Sequence, residues 1–241
     1  MQIRIFDTVE QVGQAAAMLL GAQILRKPDS VLGLATGSSP VPIYEALIRQ
    51  HEQGVLDFSR VTTFNLDEYI GLSAEHPQSY RYFMNQHLFS RVNIRREATH
   101  VPGGCAADMA AEAAAYDEAI RQAGGLDVQL LGIGRNGHIG FNEPGESFIS
   151  HCHVVDLSES TIAANARFFA SAAEVPRQAI SLGIGRIMEA RQVLLVATGE
   201  SKAEAIARTV HGDVTPQVQA SILQTHPDAI LLLDRAAAAL L

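Results

Sequence analysis

The sequence predicts an α/β fold in which helices cover both faces of a mostly parallel sheet. Short apolar runs alternate along the chain with segments whose apolar residues recur at helical spacing. Some runs, such as 229–233, are apolar throughout, which is typical of strands that are buried on both faces. Strands that alternate with helices in this way pair in parallel, and right-handed crossovers connect them.

The elements follow from these two periodicities and from the turn residues between them. The apolar and β-branched runs predict strands at 2–7, 31–36, 61–66, 126–133, 153–157, 179–184, 192–198 and 229–233. Helical spacing predicts helices at 8–26, 40–53, 78–89, 106–123, 158–169, 185–190, 201–211 and 216–223.

The length of 241 residues and a hydrophobic share of 47% suit one domain with a sizeable core. We therefore predict a single Rossmann-like, three-layer domain over residues 1–241. Residues 144–178 have the least regular pattern and are the predicted lid segment.

The composition argues against several classes of partner. A net charge of −8 provides no basic stripe for nucleic acid, although a small phosphorylated ligand needs only a few local donors. The chain begins with a strand pattern rather than a signal peptide, and it has no apolar stretch of ~20 residues to span a membrane. We expect a cytoplasmic protein.

The two cysteines and the paired histidines do not predict a metal site. Cys105 and Cys152 are too few and too isolated for a disulfide framework, so we expect reduced thiols. His151 and His153 alternate along a strand, but they have no convincing third ligand. We predict no metal.

The most informative segment is residues 132–144, Gly-Ile-Gly-Arg-Asn-Gly-His-Ile-Gly-Phe-Asn-Glu-Pro. It follows a predicted strand, and its glycines allow sharp turns and close approach to a ligand. Asn136, His138 and Glu143 place an amide, a near-neutral base and a carboxylate in this loop. Because ligands of open α/β sheets bind at the carboxyl ends of strands, the loop predicts an active site.

A second candidate follows the strand at 61–66, where Asp67-Glu68-Tyr69 is placed at the strand end. A carboxylate at this point either caps the next helix or serves as a catalytic base. The Gly-Leu-Ser sequence that follows does not begin an obvious helix, which favours Asp67 as a catalytic residue.

Two further strand ends are suited to an anion. Thr-Gly-Ser-Ser-Pro at 36–40 precedes a helix, where free N–H groups of Gly37, Ser38 and Ser39 face a phosphate, or where a serine simply caps the helix. Lys202 is predicted in the first turn of another helix, a position that is unfavourable for a cation unless an anion binds there. Arg167 is either an anion clamp or a surface residue.

Taken together and in this order, the motifs resemble those of the glucosamine-6-phosphate deaminase family. The resemblance covers about residues 1–235, and its two longest motifs are highly specific. The motifs are Thr-Gly-Ser-Ser-Pro, Phe-Asn-Leu-Asp-Glu-Tyr, Gly-Arg-Asn-Gly-His-Ile-Gly-Phe-Asn-Glu-Pro, Asn-Ala-Arg-Phe-Phe and Gly-Glu-Ser-Lys.

The resemblance implies roles for the four catalytic candidates. Asp67 would move the proton between C2 and C1 of the sugar, and His138 would open the pyranose ring. Glu143 and Asn136 would orient and polarise His138. Some family members carry Asp where this chain has Asn136, and an amide keeps the orienting hydrogen bond without the negative charge.

The resemblance also implies a small-molecule sugar phosphate as the substrate, with no cofactor. Gly37, Ser38, Ser39, Arg167 and Lys202 would hold the phosphate. A homo-oligomer is possible. The alternatives are a 6-phosphogluconolactonase, which the Asp-Glu-Tyr strand end disfavours, and a sugar-phosphate sensor without turnover, for which the chain has no room for a second domain.

Some members of the family respond to N-acetylglucosamine 6-phosphate through basic residues in the segment after the Asn-Glu-Pro motif. In this chain the corresponding segment, 145–156, offers only His151 and His153, and it adds Glu146 and Asp156. Neutral imidazoles attract a dianion weakly and carboxylates repel it. We therefore expect a constitutive enzyme.

Overall fold

The computed structural model describes residues 1–169 and 171–241. Its strands are β1 Gln2–Phe6, β2 Val31–Leu34, β3 Thr62–Asn65, β4 Asp67–Tyr69, β5 Thr99–His100, β6 Val128–Leu131, β7 His153–Asp156, β8 Gln178–Ser181, β9 Gln192–Ala197 and β10 Ala229–Asp234. Its α-helices are α1 Val9–Arg26, α2 Val41–Glu52, α3 Tyr80–His87, α4 Met109–Gln122, α5 Glu159–Asn165, α6 Ile184–Met188 and α7 Ala203–His211.

Seven strands form one sheet in the order β1-β10-β9-β6-β2-β3-β5, and every neighbouring pair is parallel. From β2 the chain builds outwards through β3 and β5, and it then returns to build the other half from β6. The direction therefore switches between β2 and β6, at the centre of the sheet. A crevice at such a switch point is where open α/β sheets bind ligands.

The sheet is the middle of three layers. All residues of β2, β6 and β10 are buried, so both faces of these strands are covered. On one side α1 packs against α2 and against β1, β9 and β10. A capping box starts α1: Thr8 Oγ1 accepts from the Gln11 N–H, and the Gln11 side chain accepts from the Thr8 N–H. The predicted α/β class is confirmed.

A second, antiparallel sheet in the order β4-β8-β7 was not predicted. The runs at 153–157 and 179–184 are strands, but they pair with each other and with Asp67–Tyr69 outside the parallel sheet. Leu66 connects the two sheets, because its N–H donates to Leu34 O in one and its carbonyl accepts from Leu182 N in the other. The parallel strand β3 thus ends one residue before the small sheet begins.

Two predicted helices also differ. The helix predicted at 158–169 is α-helical only through Asn165 and then tightens into the 3₁₀ turn Ala166–Phe168. The helix predicted at 216–223 is the 3₁₀ helix Gln219–Thr225. Ser221 Oγ bonds both the N–H and the carbonyl of Thr215 there, and such local side-chain bonds compete with α-helical pairing.

Candidate active site

Four loops that follow adjacent central strands carry the candidate residues other than Arg167, which lies in the 3₁₀ turn Ala166–Phe168. The strands β9, β6, β2 and β3 are neighbours in this order, and they run parallel. Their carboxyl ends lead to Lys202, to the loop 132–144, to the loop of Gly37, Ser38 and Ser39, and to Asp67. The topology therefore gathers segments far apart in the sequence at one edge of the sheet.

Asp67 is a buried carboxylate beside the catalytic-loop candidate. It is 7% exposed, and in the described residues no side chain or N–H donates a hydrogen bond to it. A Cβ added at Gly140 would lie 3.1 Å from Ser181 Oγ, 3.4 Å from Asn142 Nδ2 and 3.7 Å from Asp67 Oδ2, so these groups surround one point. Burial, and then the charge of Glu68, raise the Asp67 pKa to about 8.

His138, Glu143 and Asn136 form one cluster within the loop. His138 Nδ1 lies 3.6 Å from Glu143 Oε2, slightly beyond hydrogen-bond distance. Asn136 Nδ2 donates to Glu143 Oε2 at 2.8 Å, and Asn136 Oδ1 accepts from the His138 N–H at 3.2 Å. Asn136 therefore ties the Glu143 carboxylate to the backbone of His138 rather than touching the imidazole ring.

The Glu143 carboxylate stays ionised. Burial acts to raise its pKa, but the His138 ring, Thr161 and Asn136 outweigh burial and lower the pKa to about 2. Thr161 Oγ1 donates a short hydrogen bond to Glu143 Oε1. A fixed carboxylate beside an imidazole can orient the ring and balance the charge that develops on it during proton transfer.

Gly134 is required for the position of the His138 ring. A Cβ at this residue would lie 2.3 Å from His138 Cε1 and 2.4 Å from Nδ1. Any larger residue would therefore displace the ring from Glu143. Glycine in this loop thus allows close packing as well as sharp turns.

The cations of the predicted phosphate site lie close together. Lys202 Nζ donates to the carbonyl of Ile133 at 2.6 Å, which places the ammonium beside the start of the catalytic loop. Burial lowers the Lys202 pKa, and the charges of Arg135 and Arg167 lower it further. Lys202, Arg135 and Arg167 have no carboxylate partner in the described residues, so their charges are available to an anion.

The loop of Gly37, Ser38 and Ser39 leaves its donors free. The predicted alternative of serine capping is absent, because α2 has Pro40 as its N-cap and no side-chain capping bond. Ser38 is exposed and Ser39 is half-buried. The N-terminus of α2 therefore keeps unpaired groups facing the carboxyl edge, as an anion requires.

Several residues near the candidate site were not predicted from the sequence. Thr161 meets Glu143 from 18 positions away, and Arg135 adds a third cation to the predicted pair. The Asp234 carboxylate accepts from the Gly199 N–H at 3.0 and 2.9 Å and so holds the turn before Lys202. Arg135 could have been noticed as a charge inside the glycine loop, whereas the others depend on tertiary contacts.

A small second core covers one side of the site. It contains Tyr69, Phe141, Leu157, Ile162, Val175 and Ala179. These residues join the Asp67 strand and the catalytic loop to the segment that was predicted as a lid. Tyr69 also packs on Tyr80, with ring centroids 4.9 Å apart. Among the described residues no group of three or more metal-ligating side chains occurs, and none of the described helices could span a membrane.

This arrangement defines an α/β protein with a cluster of polar and charged residues at the carboxyl edge of its sheet. A family model for glucosamine-6-phosphate isomerases/6-phosphogluconolactonase matches residues 6–231. The chain therefore belongs to this family.

Relatives agree with this assignment over the whole chain. Glucosamine-6-phosphate deaminases from Thermoanaerobacter pseudethanolicus and Clostridioides difficile are 52% and 51% identical to the chain. The matches cover 100% and 99% of this chain, and 95% and 96% of the relatives.

Solved structures resemble the fold to different degrees. The structure of a monomeric glucosamine-6-phosphate deaminase matches with a TM-score of 0.98 at 45% identity, covering all of both chains. A 6-phosphogluconolactonase from Trypanosoma brucei matches with a TM-score of 0.76 at 20% identity, covering 99% of this chain and 97% of the other. The second likeness shows the fold alone.

Proposed function

We propose that this enzyme is a glucosamine-6-phosphate deaminase, which converts glucosamine 6-phosphate and water into fructose 6-phosphate and ammonia. The observation that carries the proposal is a buried, unpaired Asp67 carboxylate at the same edge of the sheet as the His138–Glu143 pair, after the central strands β3 and β6, which both pair with β2. The deaminase relatives at about half identity over the full chain support it.

Ring opening is assigned to His138. The imidazole takes the proton from the O1 hydroxyl and delivers one to O5 as the C1–O5 bond breaks, which produces the open-chain aldehyde. Glu143, held by Asn136 and Thr161, keeps a negative charge beside the ring throughout. General acid–base catalysis of this kind contributes about 10²–10⁴ in rate.

The isomerisation step is assigned to Asp67. The carboxylate takes the proton from C2 while O1 gains a proton, and an enolamine with a C1–C2 double bond forms. Asp67 then returns its proton to C1, and the nitrogen lone pair makes a C2 iminium. Water adds to C2 and ammonia leaves, so the ketone of fructose 6-phosphate remains. The raised pKa makes Asp67 a stronger base than an ordinary carboxylate.

The phosphate is assigned to Lys202, Arg167 and the loop of Gly37, Ser38 and Ser39. Their combined positive character holds the far end of the substrate. Binding energy from this remote group fixes C1 and C2 against Asp67. None of the residues in this scheme requires a cofactor.

One assay tests the proposed reaction against the lactonase alternative. Purified protein is given glucosamine 6-phosphate and, separately, 6-phosphogluconolactone. We expect release of ammonia together with fructose 6-phosphate from the first and no accelerated hydrolysis of the second. Lactone hydrolysis without ammonia release would instead identify a lactonase, and the absence of both would identify a sensor.

A sugar phosphate is the proposed small-molecule partner, and the cytoplasm is the proposed location. The related deaminase structure is described as monomeric, which favours a monomer over the possible homo-oligomer. Analytical ultracentrifugation of the purified chain across the concentration range of the assay measures the state directly.

A further inference from the structure

The polar side chain of Gln219 is buried in a way that the proposed chemistry does not explain. It is 2% exposed and lies at the start of the 3₁₀ helix Gln219–Thr225. Its Nε2 donates to the carbonyls of Glu143 at 3.1 Å, Ser147 at 3.4 Å and Pro216 at 2.9 Å. One side-chain amide thus joins Glu143 and Ser147 to a section of the chain that lies 76 and 72 positions away.

Filling space in the core does not explain why this residue is a glutamine. Its Oε1 is buried and has no hydrogen-bond partner among the described residues. Burying an unpaired carbonyl is unfavourable, and a leucine of similar volume would avoid that cost. Because all three neighbours are carbonyl oxygens, only a donor fits the position. This donor must serve a purpose beyond burial.

The section that carries Gln219 also holds the other end of the catalytic loop. The Ala220 N–H donates to Gly137 O at 2.9 Å, next to His138. A Cβ at Gly137, whose φ is 86°, would lie 2.6 Å from Val218 Cγ1, so the two sections are in close contact. At the Glu143 end, the Gly145 N–H donates to Pro216 O at 3.1 Å.

The loop between these anchors contains both members of the imidazole–carboxylate pair. The 3.6 Å separation of His138 Nδ1 from Glu143 Oε2 depends on where the Glu143 backbone is held. Asn136 and Thr161 orient the Glu143 side chain, but only Gln219 bonds its carbonyl among the described residues. Loss of that bond frees the backbone on which the pair depends.

We propose that Gln219 is a positioning residue that holds Glu143 against His138 by bonding the Glu143 backbone and fixing the base of the following segment. The catalytic roles of His138 and Glu143 rest on the proposed function, whereas the positioning itself does not. Gln219 acts through Glu143 and does not touch the substrate.

The test uses Gln219→Leu and Gln219→Glu in the full chain. The first removes the donor, and the second places an oxygen against three carbonyls. Each should lower kcat for glucosamine 6-phosphate about ten- to hundred-fold with KM changed less than about two-fold, because misplacement of a catalytic group by about 1 Å has effects of that size.

The matched control is Gln224→Leu. Gln224 lies in the same 3₁₀ helix and its Nε2 donates to Thr209 O at 2.9 Å and Gly212 O at 2.8 Å, away from the catalytic loop. This variant should lose thermal stability to a similar degree and keep the wild-type kcat. Equal losses of kcat in Gln219→Leu and Gln224→Leu would show a purely structural role and overturn the proposal.

A second measurement does not depend on activity. The carboxyl ¹³C resonance of Glu143 is followed with pH in wild type, Gln219→Leu and Gln224→Leu. The wild-type and Gln224→Leu carboxylates should stay ionised at pH 4–5 because the Glu143 pKa is about 2. In Gln219→Leu, Glu143 should begin to protonate in this range; an unchanged titration would overturn the proposal. If wild type released no ammonia, the proposed function would fail, and this titration would still decide the positioning.

Discussion

At the scale of single residues, Asp67 has an unusual environment for a carboxylate, and it is the proposed catalytic base. Its carboxylate is buried beside Glu68, and both effects favour the protonated form. We expect Asp67→Asn to lower kcat by about 10²–10⁴ while substrate binding is kept, since an amide cannot act as a base. Exchange of the C2 proton with solvent should vanish in parallel. Near-normal exchange in the variant would assign the base elsewhere.

The same residue should affect stability in a pH-dependent way. Folding raises the Asp67 pKa to about 8, so the folded state favours the neutral carboxyl. The associated stabilisation is complete below the unfolded pKa of about 4 and is lost as the pH rises towards 8. An asparagine is neutral at every pH.

Asp67→Asn should therefore gain in melting temperature over wild type as the pH rises from 4 to 8. Each kcal/mol corresponds to about 2–4 °C in a chain of this size. Calorimetry at pH 5 and at pH 8 measures the difference, and an equal difference at both values would contradict the raised pKa.

The cations of the proposed phosphate site should determine the preference for the phosphorylated over the unphosphorylated sugar. Lys202→Ala and Arg167→Ala should each raise KM for glucosamine 6-phosphate about ten- to hundred-fold, because a hydrogen bond to a charged group contributes about 1.5–3 kcal/mol. Turnover of unphosphorylated glucosamine should change little. Arg177→Ala is the control, since its exposed guanidinium pairs with exposed Glu159 at 3.6 Å. Equal losses for both sugars would refute the assignment.

At the scale of elements, Glu68 connects the short strand β4 to the start of α3. Its Oε1 accepts from the Tyr69 N–H at 2.8 Å and the Tyr80 N–H at 2.9 Å, and its Oε2 accepts from the Arg81 N–H at 3.0 Å. A carboxylate is well placed at the positive end of a helix. The side chain thus anchors the strand that presents Asp67 and sets a negative charge beside it.

Glu68→Gln should therefore lower the pKa of Asp67, because the Glu68 charge is one of the causes that raise it. The rising limb of kcat/KM with pH, which reports the free enzyme, should move to lower pH than in wild type. Ser79→Ala is the matched control.

Ser79 Oγ caps α3 by accepting from the Tyr82 N–H at 3.0 Å. Its loss should cost about 1 kcal/mol of stability without removing a charge. In Ser79→Ala the rising limb of kcat/KM should therefore stay at the same pH as in wild type. If the rising limb of kcat/KM moved equally in Glu68→Gln and Ser79→Ala, the position of α3, and not the Glu68 charge, would determine the Asp67 pKa.

At the scale of the whole molecule, we expect the segment that follows the catalytic loop to decide whether an effector acts. Within it His151 Nδ1 lies 3.3 Å from the buried Asp117, and burial lowers the His153 pKa, which favours its neutral form. We expect hyperbolic kinetics and no activation by N-acetylglucosamine 6-phosphate at neutral pH. A sigmoidal rate curve that becomes hyperbolic on adding this compound would contradict the prediction.

The sequence by itself determined most of the helices and strands, and it showed which polar residues lie at the strand ends. Apolar runs and helical spacing are local properties, so the longer strands of the parallel sheet and helices such as Val9–Arg26 were predicted to within a few residues. Parallel pairing places strand ends at one edge, and the strand-end positions of Asp67 and of the His138 loop marked both as candidate site residues. Two-residue β5 was missed because so short a strand shows no period.

Only the tertiary structure decided how these parts are paired and supported. The small sheet arises because Leu66 bonds Leu34 on one side and Leu182 on the other, a choice between partners that no local pattern contains. Thr161 and Gln219 reach Glu143 from 18 and 76 positions away, so their roles depend on packing and not on spacing. The raised Asp67 pKa likewise follows from burial, which is a property of the folded chain.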